Sequence, residues 1–462
     1  MTDQGMSGRT EQTGGAPEAI DERALQESVA FTSDLIRIDT TNHGRGDGVE
    51  RAAAEYVAER LTEAGLEPTL LEKAPDRTNV VARIPGTDPS AGALLVHGHL
   101  DVVPADAAEW SVHPFSGEIR DGVVWGRGAV DMKNADAMVL SVVRAWARHG
   151  VRPRRDIVLA FTADEEDSAQ YGSGFLADQH PELFEGCTEG ISESGAYTFH
   201  PGDGKRIYPL AAGERGTGWL RLTARGRAGH GSKVNHANAV SRLAAAVTRI
   251  GEHQWPVRLT ATVRAALTEL AALYGLPAPA LDSDDPDVLA REVDALLEAL
   301  GPAAYLVAAT VRNSSNPTML DAGYKVNVIP GSATAHIDGR MVPGAEDEFT
   351  MTLDRLTGPD VDWEFQHREI PLEAPVGSRT YDVLRSSLEH FDPGAHVVPY
   401  CMSGGTDAKQ FSRLGIVGYG FTPLKLPEGF DYGAMFHGVD ERVPVEALHF
   451  GTRVLDRALR AL

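Results

Sequence analysis

The chain has 462 residues, enough for two or more packing units, and its 42% hydrophobic and 24% charged residues are ordinary globular composition. With 43 Lys+Arg against 66 Asp+Glu the formal charge is −23, a surface that repels polyanions and makes nucleic acid or an anionic membrane face a poor partner. Two cysteines, Cys187 and Cys401, lie far apart and outside any CxxC pattern, which excludes a disulfide framework and fits a reducing cytoplasm.

Residues 1–20 read as a disordered leader, rich in Gly, Thr, Gln and Ser and lacking the apolar core of a signal peptide or anchor. No apolar run elsewhere is long enough to span a bilayer. Leu25, Val29 and Ile36 set the spacing of a first helix ending near Asp39–Asn42, and a second runs from about Glu50 to Ala64 with Gly65 as its stop. Short apolar runs follow at Asn79–Ile84, Ala93–Leu100 and Ile157–Thr162, the last two continuous enough for strands buried on both faces. Between them a helix is expected over Ala135–His149, closed by Gly150. Strands alternating with helices predict an α/β sheet covered on both sides, and this body is taken to occupy residues 21–213.

After Gly213 the pattern changes. Trp219–Arg225 and Ala333–Ile337 alternate apolar and polar residues, as half-buried strands do, and a helix is expected over Ala237–Ile250. These predict a smaller α+β domain over 214–341, inserted into the first and carrying an extra helical segment at about 252–316. The α/β body is expected to resume at 342–462, with Gly-rich turns at Ser403–Gly405 and Gly415–Gly420.

Nucleophile-elbow, phosphate-loop, HExxH and complete GxGxxG signatures are missing. What stands at the strand ends is a scatter of His, Asp and Glu. In His97-Gly98-His99-Leu100-Asp101, His99 and Asp101 share a side of the strand, so one can bind a metal while the other fixes the imidazole tautomer. Asp131, behind the glycines of Gly126–Gly128, reads by itself as a helix N-cap. Glu165 and Glu166 could be a solvated helix start, or one metal ligand beside one proton acceptor. Glu193 and His437, each in a short polar run, are weak signals when taken singly.

Taken together and in order, these runs resemble the dizinc aminoacylase/carboxypeptidase family, peptidase family M20. The matching text is HGHLDVVP (97–104), WGRGAVDMK (125–133), TADEE (162–166), RAGHGS (227–232), NVIP (327–330), GGTDA (404–408) and HGVDER (437–442). The resemblance implies a zinc-exopeptidase-like α/β catalytic domain with an inserted α+β lid and dimerisation domain. It implies two Zn²⁺ ions per chain, with Co²⁺ or Mn²⁺ as substitutes. His99 and Glu193 would bind one ion, Glu166 and His437 the other, with Asp131 bridging and Asp101 orienting His99. Glu165 would be the general base and acid, and His230 would stabilise the oxyanion, often in the neighbouring subunit of a homodimer. Asn327 and Arg340 would hold a substrate carboxylate, and the Gly404-Gly405-Thr406 backbone would offer further N–H donors. The implied activity is hydrolysis of an N-acyl-amino acid or short peptide, with a dedicated acetylornithine deacetylase or succinyl-diaminopimelate desuccinylase, or a non-catalytic binding protein on the same scaffold, as rival readings.

Overall fold

The computed structural model describes residues 19–44, 46–202 and 204–462. Residues 1–18 of the expected leader lie outside these, whereas Ala19 is buried and Ile20 packs beside it on the core. The first helix spans Glu22–Arg37, with the Asp21 carboxylate capping the Ala24 amide at 2.8 Å. The second spans Arg51–Glu63, after which Gly65 takes φ +80°, a left-handed turn that a side chain would strain.

Among the described residues, nine strands make the large sheet. Its centre is Ile157–Thr162, Ala93–His99, Cys187–Ser192 and Val417–Gly420, all parallel, with Thr78–Ile84 and Thr69–Glu72 antiparallel at one edge. Ala93–His99 and Ile157–Thr162 are buried along their whole length, as continuous apolar runs predict. The other edge holds Ile207–Glu214, flanked by His396–Met402 and the short Leu372–Glu373. Helix Lys133–His149 covers one face beside Glu22–Arg37 and the C-terminal helix Val445–Ala461. It is joined to the last by a 2.7 Å hydrogen bond from Trp146 Nε1 to Asp456. Parallel strands align their C-terminal ends, so the loops after His99, Thr162 and Ser192 emerge along one edge, the usual place for a site in such sheets.

The smaller sheet has four antiparallel strands in the order Ser314–Ala322, Ser332–Met341, Gly216–Arg225, Val361–Arg368. Two sequence expectations are corrected here. The α/β body does not resume at 342: Val361–Arg368 pairs with Gly216–Arg225, from Val361 opposite Ala224 to Arg368 opposite Gly218. Helix Glu346–Thr357 buries Phe349, Leu353 and Leu356 in the same small core. The physical reason is that Val361, Trp363 and Phe365 alternate with Asp362, Glu364 and Gln366, the pattern of a half-buried strand.

The helical segment also leaves the domain into which the sequence placed it. Trp255 still packs in the small core, but Val257 does not. Helices Ala261–Leu273 and Pro286–Leu300 bury Leu267, Leu270, Val293 and Leu296 against Val398 and Cys401 of the large sheet. The chain returns at Val311, where Val257 and Arg312 form a bridge. A third difference is local: Val417–Gly420 is a strand of the large sheet, not a turn.

If the helical segment is part of the large body's core, Leu267→Ala should lower the free energy of unfolding by about 2–5 kcal/mol, the usual cost of emptying a fully buried leucine site. Denaturant titration checks this, and a change within error would mean that the two helices are only loosely attached.

Candidate active site

Strand ends of the large sheet position His99, Glu165, Glu166 and Glu193, while Asp131 and His437 come from loops outside it. His99 is the last residue of its strand and is buried, with Nδ1 2.9 Å from the Asp101 backbone carbonyl and 3.5 Å from its carboxylate. An N–H at Nδ1 donating to that carbonyl leaves the Nε2 lone pair free for a metal. Nε2 faces Asp131 Oδ1 at 3.1 Å, Glu193 at 3.8 Å and Glu165 at 3.9 Å. On the other side of Asp131, His437 Nε2 lies 3.4 Å from Oδ2 and 3.0 Å from Glu166. Asp131 does not cap the following helix; its side chain turns to the two imidazoles instead.

Two sets of donor atoms result among the described residues, His99–Asp131–Glu193 and Asp131–Glu166–His437, each with its atoms within 4.8 Å of one another. Asp131 belongs to both. Four carboxylates crowd two imidazoles, one buried and one exposed, and that crowding shifts their proton affinities. Burial pushes Glu193 up to about 8, and raises Glu165 well above the carboxylate range with the charge of Glu193 adding to it. Hydrogen bonds that the imidazolium donates to Asp131 and Glu166 lift His437 to about 10. Glu166 Oε1 is buried with no hydrogen-bond partner. An orphaned oxygen, a shared carboxylate and imidazole nitrogens are the donor set that suits a pair of divalent ions, zinc included.

The scaffold behind the ligands was only partly visible in the sequence. Asp101 accepts the backbone amides of Glu165 and Glu166, both at 3.1 Å, and Asn42 Nδ2 at 2.9 Å. It therefore holds both glutamates of the TADEE loop as well as His99. Glu441 is fully buried and accepts the amides of Gly128, Val130 and Asp131 together with Arg127 Nη1 at 2.8 Å. Asp164 is locked between Asn42 and Arg77, and Arg77 also pairs with Glu50 at 2.8 Å. Asn42, Arg77 and Glu50 escaped the sequence reading because they sit in no recognisable run. Glu441 stood inside a quoted motif and carried no role there.

The remaining candidates stand apart from the ligand cluster. His230 is exposed on a two-residue strand paired with Val328–Ile329, its Nδ1 2.9 Å from Ser232 Oγ. Asn327 is exposed, its carbonyl accepting the Gly231 amide. Arg340 lies on Ser332–Met341 with its guanidinium on both oxygens of Asp338, at 2.7 and 3.2 Å, and on Thr217. In the Gly404-Gly405-Thr406 turn, Thr406 gives its amide and hydroxyl to Glu214, so those donors are committed. The neighbouring Asp407 accepts Thr162 Oγ1 at 2.6 Å and the Ser173 hydroxyl.

The model of peptidase family M20/M25/M40 matches residues 95–461. The chain belongs to this family. It is 30% identical over 378 residues to the human N-fatty-acyl-amino acid synthase/hydrolase PM20D1, covering 79% of this chain and 73% of the relative. Pig aminoacylase-1 is 26% identical over 443 residues, covering 94% of this chain and 95% of that protein. Among solved structures, the M20 family metallo-carboxypeptidase Sso-CP2 of Sulfolobus solfataricus superposes with a TM-score of 0.70 at 19% identity, covering 96% and 99% of the two chains. The protein is thus a hydrolase of amide or peptide bonds from a metal-dependent family.

Because Glu441 clamps the loop that presents Asp131, Glu441→Gln should weaken metal binding by about 10–100-fold, the usual effect of losing a group that orients a ligand. Competition with a chelator measures this. Affinity equal to that of the parent protein would show that the loop holds its shape without the clamp.

Proposed function

We propose that the protein is a dizinc hydrolase that cleaves the amide bond of an N-acyl-amino acid or short peptide bearing a free carboxylate. The observation that carries this reading is Asp131 standing between two imidazole–carboxylate sets. Both curated relatives are named for action on acylated amino acids, the human one on N-fatty-acyl-amino acids and the pig one as an aminoacylase. The two free cysteines suit a reducing cytoplasm. No helix among the described residues is long and apolar enough to cross a membrane.

His99 and Glu193 would hold one ion, Glu166 and His437 the other, and Asp131 both. Bound there, zinc supplies Lewis-acid polarisation of the scissile carbonyl and lowers the pKa of a water. Glu165 is the side chain left over for proton transfer: it faces His99 Nε2 at 3.9 Å but belongs to neither donor set. Its raised affinity for a proton suits a group that takes one from the attacking water and delivers it to the leaving amine. Asp101, through the two amides it accepts, keeps Glu165 and Glu166 in these separate roles. His230 would donate to the developing oxyanion from a partner chain, and Arg340 with Asn327 would hold the substrate carboxylate by paired hydrogen bonds.

Glu165→Gln should keep both ions and the fold while turnover falls on the order of 10²–10⁴-fold, the range for a lost general acid–base. Glu166→Ala should lose metal first and activity as a consequence. Metal content and turnover measured on both variants decide the matter, and normal turnover by metal-loaded Glu165→Gln would place the base elsewhere.

His230→Ala should lower turnover without removing metal. Mixing it with Glu165→Gln should restore part of the activity, since one hybrid site of a homodimer is then intact. Subunit exchange with no recovery would show that His230 does not act across a subunit boundary.

A further inference from the structure

A recess of about 470 Å³ has no part in the chemistry above. Its volume falls in the ~300–1,000 Å³ range of small-molecule sites. One wall is the segment that follows Glu193, with Tyr197 and Phe199; the other is the segment that precedes His437, with Phe430 and Tyr432. The two walls meet where the Tyr197 and Tyr432 rings pack at a tilt of 35° with centroids 4.3 Å apart. Tyr432 is buried and its hydroxyl donates to the Val130 carbonyl at 3.4 Å, tying the recess to the loop that presents Asp131. The recess therefore lies beside the candidate ligand cluster, behind Tyr432, between the chain segments that carry Glu193 and His437.

Its rim comes from elsewhere. Tyr305 stands in the turn Gly301–Leu306 at the end of the inserted helical segment, and its ring stacks on Phe199 at 5.8 Å and 12°. The phenol reaches toward Gly433 on the opposite wall, its oxygen 3.4 Å from where a Cβ on that glycine would stand. The ring is nevertheless 68% exposed, so it spends little of its surface on holding the fold together. No Lys or Arg lines the recess among the described residues. Among the described residues the one carboxylate there, Asp431, accepts the Ala434 amide at 3.1 Å, and His200 is engaged by the Leu426 carbonyl at 3.0 Å. Aromatic faces without a cation suit an apolar group and repel a free carboxylate.

We propose that this recess receives the acyl group of the substrate, that the acyl group is large and apolar, and that Tyr305 is a specificity-determining residue supplied by the inserted helices. The inference rests on the N-acyl-amino acid reading and gives it a direction: acyl chain toward the aromatic walls, amino-acid carboxylate away from them. It also gives the inserted segment a purpose beyond packing, since the helices place one exposed ring over the mouth of a recess built by other parts of the chain.

The test compares matched N-octanoyl- and N-acetyl-amino acids on metal-loaded parent protein, Tyr305→Ala and Gly433→Leu, the last placing bulk under the Tyr305 hydroxyl. The parent should prefer the octanoyl series, and both variants should lower the octanoyl-to-acetyl ratio of kcat/KM on the order of tenfold, mainly through KM, with metal content and thermal midpoint unchanged. A parent that prefers acetyl, or a ratio unmoved in both variants, overturns the inference while leaving the hydrolase reading intact. Calorimetric binding of an N-octanoyl-amino acid to Glu165→Gln, with and without Tyr305→Ala, separates the remaining cases. Binding weakened by Tyr305→Ala in a protein that hydrolyses neither series supports the apolar acyl recess and overturns the hydrolase reading alone. No binding and no hydrolysis overturns both.

Discussion

Everything at the edge of the large sheet answers to one constraint: the largely buried carboxylates of Asp131, Glu165, Glu166 and Glu193 are gathered around two imidazoles, His99 buried and His437 open to solvent. Uncompensated charge in such a place is expensive, and groups that cannot be paired must be held by hydrogen bonds. The protein meets this by using further carboxylates as clamps. Glu441 gathers three amides from the Asp131 loop, and Asp101 gathers two from the Glu165–Glu166 loop. Each clamp is an acid outside both candidate donor sets; it fixes the backbone from which candidate ligands project. The polar residues around the site thus form two tiers, one facing the reaction and one facing the chain.

How much of this was legible depends on how local the signal is. The central strands could be read because burial on both faces demands unbroken apolar runs, and His99, Glu165 and Glu166 follow such runs directly. Glu193 and His437 lie in short polar stretches and became readable only as members of an ordered set. Asn42 and Arg77 were invisible because their roles depend on contacts with Asp101 and Asp164, which no spacing reveals.

The glycines misled in an instructive way. Gly415–Gly420 reads as a turn because glycine is abundant in turns. In fact, a Cβ on Gly420 would stand 2.0 Å from the Ser194 carbonyl oxygen and 2.6 Å from that of Glu193. Glycine is there so that one strand can press against the backbone carrying a metal-ligand candidate. The helical segment misled for a different reason. An amphipathic helix records that one face is buried, not which sheet buries it, so Leu267 and Leu270 could not announce that they pack with Val398 and Cys401.

The path of the chain between the two cores has a consequence for how such proteins can be recombined. The polypeptide enters the small domain after Glu214, quits it after Trp255, re-enters after Val311 and leaves beyond Arg368. The small domain is therefore not one cassette but two, 216–255 and 314–368, paired strand to strand in one sheet but separated in the chain by helices that belong to the larger body. A small domain moved between relatives as a single uninterrupted stretch would take the inserted helices, and Tyr305 with them, out of the sheet that seats them. Inheritance of the small domain and inheritance of the recess rim are in this way coupled. A lineage can trade one without the other only by exchanging both pieces of the small domain and sparing the loop between them.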